Sequence, residues 1–176
     1  IEEGFVDVRN PYDPHQLSRI YLNEQSVDVL VFCTKNPLPI LPYIKQIPFP
    51  MLFHVTLTPY HKEIEQLPSK KEILKAIRFL AKQLGKEHVV VRYDPIFLSD
   101  IYTLEYHKKA FQRLCEQLEG YVSTIIISFV DMYKNTKENI AKMSLQTMRP
   151  SDMLEIGKSF GEIAKKHHLH LQTCAE

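Results

Sequence analysis

Five glycines in 176 residues are too few for a chain that cradles phosphates in flexible loops, and neither the dinucleotide-binding glycine fingerprint nor a P-loop occurs. Cysteine is equally sparse. Cys33, Cys115 and Cys174 stand far apart, which excludes a disulfide framework and points to a reducing cytosol. No apolar run approaches the roughly 20 residues of a membrane span, and no secretory leader is visible. Lysine plus arginine (22) and aspartate plus glutamate (21) leave a net charge of +1. No overall positive field therefore draws the chain to nucleic acid or to an anionic membrane, although a local patch is still allowed. These absences describe a cytoplasmic globular domain with no membrane partner, long enough to bury a substantial core.

What is present is an alternation of short apolar runs with helical patterns. "FVDV" (5–8), "VDVLVFCT" (27–34), "MLFHVTLT" (51–58), "HVVVRYD" (88–94), "TIIISFVD" (124–131) and "LHLQTC" (169–174) are short, and several are apolar on both faces, as buried parallel strands are. "QLSRIYL" (16–22) alternates and reads as an edge strand or hairpin partner. Residues 70–84 put Ile73, Ile77, Leu80 and Leu84 on one stripe, with a Ser69/Glu72 capping box and Gly85 at the end. Residues 103–118 start at Thr103 and point Leu104, Phe111, Leu114 and Leu118 inward. A third helix, 152–167, carries Gly157 and Gly161 one turn apart, which is costly unless a neighbouring backbone packs close. A shorter helix is expected after Asn135 and Thr136, and the proline-rich stretch 36–50 reads as a turn or two of helix and a rigid connection. Alternating strands and helices imply βαβ units and a parallel sheet with right-handed crossovers. The expected fold is α/β, a single domain over 1–176 forming a partial or complete TIM-like barrel. The opening "IEEG" resembles the last turn of a helix and "LQTCAE" follows a strand directly, so the barrel reads as truncated at both ends, a fragment of a longer chain.

In such barrels chemistry gathers where strands end. Here those ends are Arg9 and Asn10, then Thr34, Lys35 and Asn36, then Thr56 and Thr58, Arg92 and Asp94, Ser128 and Asp131, and finally Gln172 and Cys174. Each strand runs from apolar to polar, so one mouth would collect the polar tips. Alternation puts Val90, Arg92 and Asp94 on one face and Val89, Val91 and Tyr93 on the other, with Pro95 favouring an extended Asp94. Arg92 needs a carboxylate. Either it fills space in an ion pair with Asp94 or Asp131, or it clamps a substrate carboxylate or phosphate. Lys35 is open as a general base, a Schiff-base former, an anion ligand or a solvated loop residue. His15 reads as a loop histidine or a catalytic one. Thr56 and Thr58, on the face of His54, read as layer filling or cavity lining. In "KKHHLHLQTC", same-face residues on a strand lie about 7 Å apart, too far for His168, His170, Gln172 and Cys174 to hold one metal without a bend. Cys174 alone cannot hold zinc or a cluster, and Cys33 and Cys115 read as core.

"VRNPYDPHQLSR", "VFCTKNPLPIL", "TLTPY", "VVVRYDPIF", "YTLEYHKKAF", "IISFVDMYKNTKEN" and "LQTCAE" resemble, in that order and from about residue 4 to the end, an uncharacterised bacterial family classed as a domain of unknown function. Members of that family continue into a cysteine-rich tail like the iron–sulfur motif of radical S-adenosylmethionine enzymes, and some are labelled DNA-repair photolyase-like. The resemblance implies a barrel whose strand ends face a 4Fe–4S cluster and S-adenosylmethionine, acting on an unknown small-molecule or nucleic-acid substrate. It makes Cys174 a candidate cluster ligand. The C-x-x-x-C-x-x-C run itself is absent from these residues, so the segment alone is expected to hold no cluster and to be inactive. Arg9, Asn10, Lys35, Asn36, Thr56, Thr58, Arg92, Asp94, Asp131 and Gln172 would line the cavity. A second reading is a metal-assisted hydrolase or isomerase with Asp94, Asp131, His54 and Glu176 as ligands. A third is a non-enzymatic ligand- or nucleic-acid-binding module, against which the near-neutral charge weighs.

Overall fold

A computed structural model describes residues 2–130 and 145–174. Two sheets are present. Strands β1 (Phe5–Arg9) and β2 (Leu17–Tyr21) form an antiparallel ribbon. Strands β3 (Leu30–Thr34), β4 (Met51–Thr56), β5 (Val89–Ile96), β6 (Thr124–Phe129) and β7 (His170–Thr173) form a parallel sheet in strict chain order. A 3-10 segment, Leu38–Gln46, links β3 to β4. Helices α1 (Lys70–Leu84), α2 (Leu104–Leu118) and α3 (Pro150–Lys166) lie in the crossovers that follow.

Sequential order with crossovers of one hand places the helices on one side of the sheet. The burial pattern agrees. Met51, Phe53 and Val55, Val89, Val91 and Tyr93, and Ile125 and Ile127 meet Ile73, Ile77 and Leu80 of α1, Phe111, Leu114 and Leu118 of α2, and Ile156, Phe160 and Ala164 of α3 in one core. Phe111 and Phe160 stack at 3.8 Å between ring centroids, with Tyr93 edge-on to both. The helix signals are as expected. Ser69 and Glu72 exchange both capping-box bonds, the Gly85 N–H closes α1 on the Ala81 carbonyl, and the Thr103 hydroxyl accepts from the Tyr106 N–H.

Three expectations change. The sheet is open: β3 and β7 are its edges, and no pairing joins them among the described residues. Five strands fall short of the roughly eight that close a small barrel. The first apolar run is not a parallel strand, because residues 10–16 are too short for a crossover and close a hairpin instead. Its alternating polar residues show why: Asp7 and Arg19 pair across it at 2.8 Å, with Arg19 over the Phe5 ring. No close backbone accounts for the α3 glycines among the described residues, since a Cβ at Gly157 or Gly161 would meet nothing there within 4 Å. The short helix expected after Thr136 lies outside the described residues.

Candidate functional site on the uncovered face of the sheet

The face turned away from the helices carries every second residue of the parallel strands. In register across it run Cys33, His54 and Val90, then Thr56, Arg92, Ile126 and Gln172. One step further toward the strand ends come Asp94, Ser128 and Cys174, the last held by its N–H on the Ile127 carbonyl at 3.0 Å. Arg92 and Asp94 are the pair expected from their spacing. Nε of Arg92 donates to Oδ2 of Asp94 at 2.8 Å, and Nη2 donates to the same oxygen. Ser128 Oγ lies 3.5 Å from that oxygen. Burial opposes the charge on Arg92, but the Asp94 carboxylate and the Cys174 sulfur beside it outweigh burial and raise its pKa. Burial lowers the pKa of His54, helped by Arg92 and opposed by Asp94. The face thus gathers a fixed cation, a carboxylate, an imidazole held toward its neutral form, a hydroxyl and a thiol.

The end of β5 is anchored from above. The Asp94–Pro95 peptide is cis, and the β5–β6 register slips between Tyr93 and Ile96. Tyr60 Oη donates to the Pro95 carbonyl at 2.7 Å and accepts from the Phe97 N–H at 3.2 Å, while its ring stacks on Phe97. Burial pushes the Tyr60 phenol up, out of any role as an acid near neutrality. His107, wholly buried, completes the brace. The Phe97 carbonyl can only accept, so Nε2 carries the proton and Nδ1 accepts from Tyr93 Oη, both at 2.9 Å. Burial depresses its pKa, with the Phe97 carbonyl opposing. These side chains position Asp94 without touching the open face.

A second cluster sits at the ends of β3 and β4. Lys35 and the Thr58 hydroxyl both donate to Glu65, and Lys70 Nζ donates to the Thr58 carbonyl at 2.6 Å. Glu65 and Lys70 were not singled out from sequence. "HKEIEQ" looks like a solvated charge run and Lys70 like an ordinary first-turn residue, and only the return of residues 60–69 over Thr58 brings Glu65 inward and sets Lys70 beside it.

The remaining expected residues are placed as follows. Asn36 caps the 3-10 segment, its Oδ1 accepting from the Leu38 N–H at 3.2 Å. Gln172 is exposed on edge strand β7. Arg9 and Asn10 belong to the hairpin, where Asn10 Nδ2 donates to Gln16 Oε1 at 2.6 Å, and contribute no end to the parallel sheet. His15 is exposed in the same turn. His167 and His168 form the turn after α3, where sequence places them: His168 takes a left-handed backbone (φ 55°) and His167 bonds Glu119 at 3.0 Å. Cys33, expected in the core, is exposed because its face of β3 is uncovered, whereas Cys115 is buried and its thiol pushed up to about 12. Asp131 and Glu176 lie outside the described residues.

Among the described residues no helix is long and apolar enough to cross a membrane, and no cluster of three or more His, Cys, Asp or Glu side chains could hold a metal. No curated protein matches the chain. A domain of unknown function, DUF1848, matches residues 1–176, so the chain belongs to the DUF1848 family.

Proposed function

We propose that this domain is the partial-barrel portion of a radical S-adenosylmethionine-like enzyme of the reducing cytosol, with its substrate bound over the uncovered face of the sheet. The observation that carries this reading is the convergence of Arg92, Asp94, Ser128 and Cys174 at the ends of three adjacent parallel strands, on the face that no helix covers among the described residues. Arg92 is the anion clamp. Asp94 accepts both its Nε and Nη2 donors and so fixes the guanidinium plane, leaving the other edge for a carboxylate or phosphate of the ligand.

A 4Fe–4S cluster takes about three or four thiolates. Cys174 fits as one of them. Cys33 stands on the opposite edge of the sheet, roughly 19 Å away across four inter-strand spacings, and Cys115 is buried under the other face. The described residues therefore offer one ligand and not a set, and further thiolates would have to come from elsewhere in the protein. When bound, a cluster with S-adenosylmethionine supplies a radical by reductive cleavage. This chain's own part is to orient an anionic group at Arg92 beside the Cys174 sulfur.

Full-length protein prepared without oxygen should carry iron and sulfide, and Cys174→Ala should lower both. A full-length protein that stays colourless and iron-free after reconstitution would end the proposal. The metal-hydrolase reading is weaker, because Asp94 is already neutralised by Arg92. A nucleic-acid module would need a basic surface that the net charge of +1 does not suggest.

A further inference from the structure

Lys70 is the first residue of α1 and is exposed at the end of β4, beside the segment that returns over that end. Its one hydrogen bond among the described residues goes to the Thr58 carbonyl, and no carboxylate there lies within ion-pair distance of it. Glu65, the carboxylate next to it, is occupied. Its side chain is only 9% exposed and each oxygen already accepts a bond, one from Lys35 and one from Thr58. An ammonium has three donors, so two of those on Lys70 are uncommitted. They belong to a pocket of about 420 Å³ whose lining also offers His61, Lys62, Ser69 and Thr56. The His61 ring makes no hydrogen bond among the described residues, only aromatic contacts with Tyr102 and Tyr106. The lining itself is balanced, Lys62 and Lys70 against Glu63 and Glu65, but Glu65 is taken by Lys35 from outside the lining, which leaves Lys70 without a carboxylate of its own. Partial desolvation at the pocket wall lowers its pKa, Glu65 opposes the drop and Lys35 adds to it.

We propose that this pocket is an anion-binding site, in which Lys70 is the principal ligand for a phosphate or carboxylate group and the Lys35–Glu65 pair sets how strongly it binds. Thr56 lines the pocket and pairs in register with Arg92, so the site borders the open face but uses different side chains. A ligand with two acidic groups could span both.

The test is a titration of the full-length protein with inorganic phosphate and, separately, with acetate, followed by calorimetry or NMR. Lys70→Met should weaken the preferred anion at least about tenfold, the scale of one charge-assisted hydrogen bond. Lys70→Arg should stay within about threefold. Glu65→Gln should tighten binding several-fold by removing a negative charge, whereas a merely structural Glu65 would make the same change weaken it. Preference for phosphate identifies a phosphate ester as the natural ligand, and preference for acetate a carboxylate. Neither anion binding, or an unchanged affinity in Lys70→Met, overturns the proposal. Iron content plays no part in this measurement, so the cluster reading and the anion site can fail separately.

Discussion

The two faces of the parallel sheet share the same strands and differ in almost everything else. Toward the helices, Phe53, Val55, Val89, Val91, Ile125 and Ile127 have no exposed surface at all. Toward the other side, Val31 is 52% exposed, Cys33 is exposed, and the middle of the sheet is held by an ion pair rather than by packing. Alternation along a strand lets one segment serve two ends: from Val89 to Asp94 the odd positions of β5 join the core and the even ones carry the charged pair, until the register slips before Ile96. The sharpest way to break this contrast is to remove a ring from the covered face. Phe160→Ala deletes half of the Phe111–Phe160 stack in a fully buried site and should cost about 3–5 kcal/mol in urea denaturation. A loss below about 1 kcal/mol would mean that the covered face is not the source of stability.

The open face should answer differently. Arg92 and Asp94 are 22% and 10% exposed in their side chains, so removing one partner leaves the other largely desolvated. Asp94→Leu alone should cost about 2–3 kcal/mol, and combining it with Arg92→Met should recover most of that stability, as paired replacement of buried ions often does. If the pair exists for function, the double variant is folded but no longer binds its ligand. If the pair only fills space, stability recovers and binding is untouched. Chemical denaturation together with ligand titration separates the two.

Much of this division was legible before any coordinates. The Val89/Arg92 alternation, the Ser69–Glu72 cap and the strand–helix rhythm are local signals, and each names its own face or end. Two kinds of information were not local. Whether the first apolar run joined the main sheet depended on the length of its turn, which the polar tips of Arg9 and Asn10 disguised as one more strand end. The Glu65–Lys70 cluster was invisible for a related reason. Residues 60–69 show no periodicity, and their folding over Thr58 is set by Tyr60 and His61 meeting the aromatic residues of the β5–α2 connection, Phe97 and Tyr102. Whether the sheet closes is open in the sequence, between a partial and a complete barrel, because strand patterns do not reveal how many strands there are to close.

Acid should sharpen the contrast between the faces, because each has a histidine whose pKa is depressed from 6.5, burial being the first cause in both: His107 under the covered face and His54 on the open one. Below about pH 6.5 the unfolded chain takes up protons that these folded histidines refuse, so stability rises with pH across the window between the folded and unfolded values. It is fully present above pH 6.5 and is lost as pH falls, by at most about 1.4 kcal/mol per pH unit for each group. Urea midpoints measured from pH 8 to pH 5 should therefore decline, and His107→Gln should flatten the decline more than His54→Gln, since the deeper burial is at His107. An equal or opposite ranking would place the acid sensitivity on the open face.

The smallest effect tests how far the covered side extends. Helix α3 buries Ile156, Phe160 and Ala164, but a Cβ at Gly161 would enter open space, and the backbone there is helical with no positive φ. Glycine at such a position costs roughly 0.5–1 kcal/mol relative to alanine through the freedom it gives the unfolded chain. Gly161→Ala should accordingly raise stability by that amount, and the urea midpoint should rise without a change in slope. A loss of stability would show that another surface sits against this flank of α3. The helix layer would then be an internal layer of a larger assembly rather than the outside of the domain.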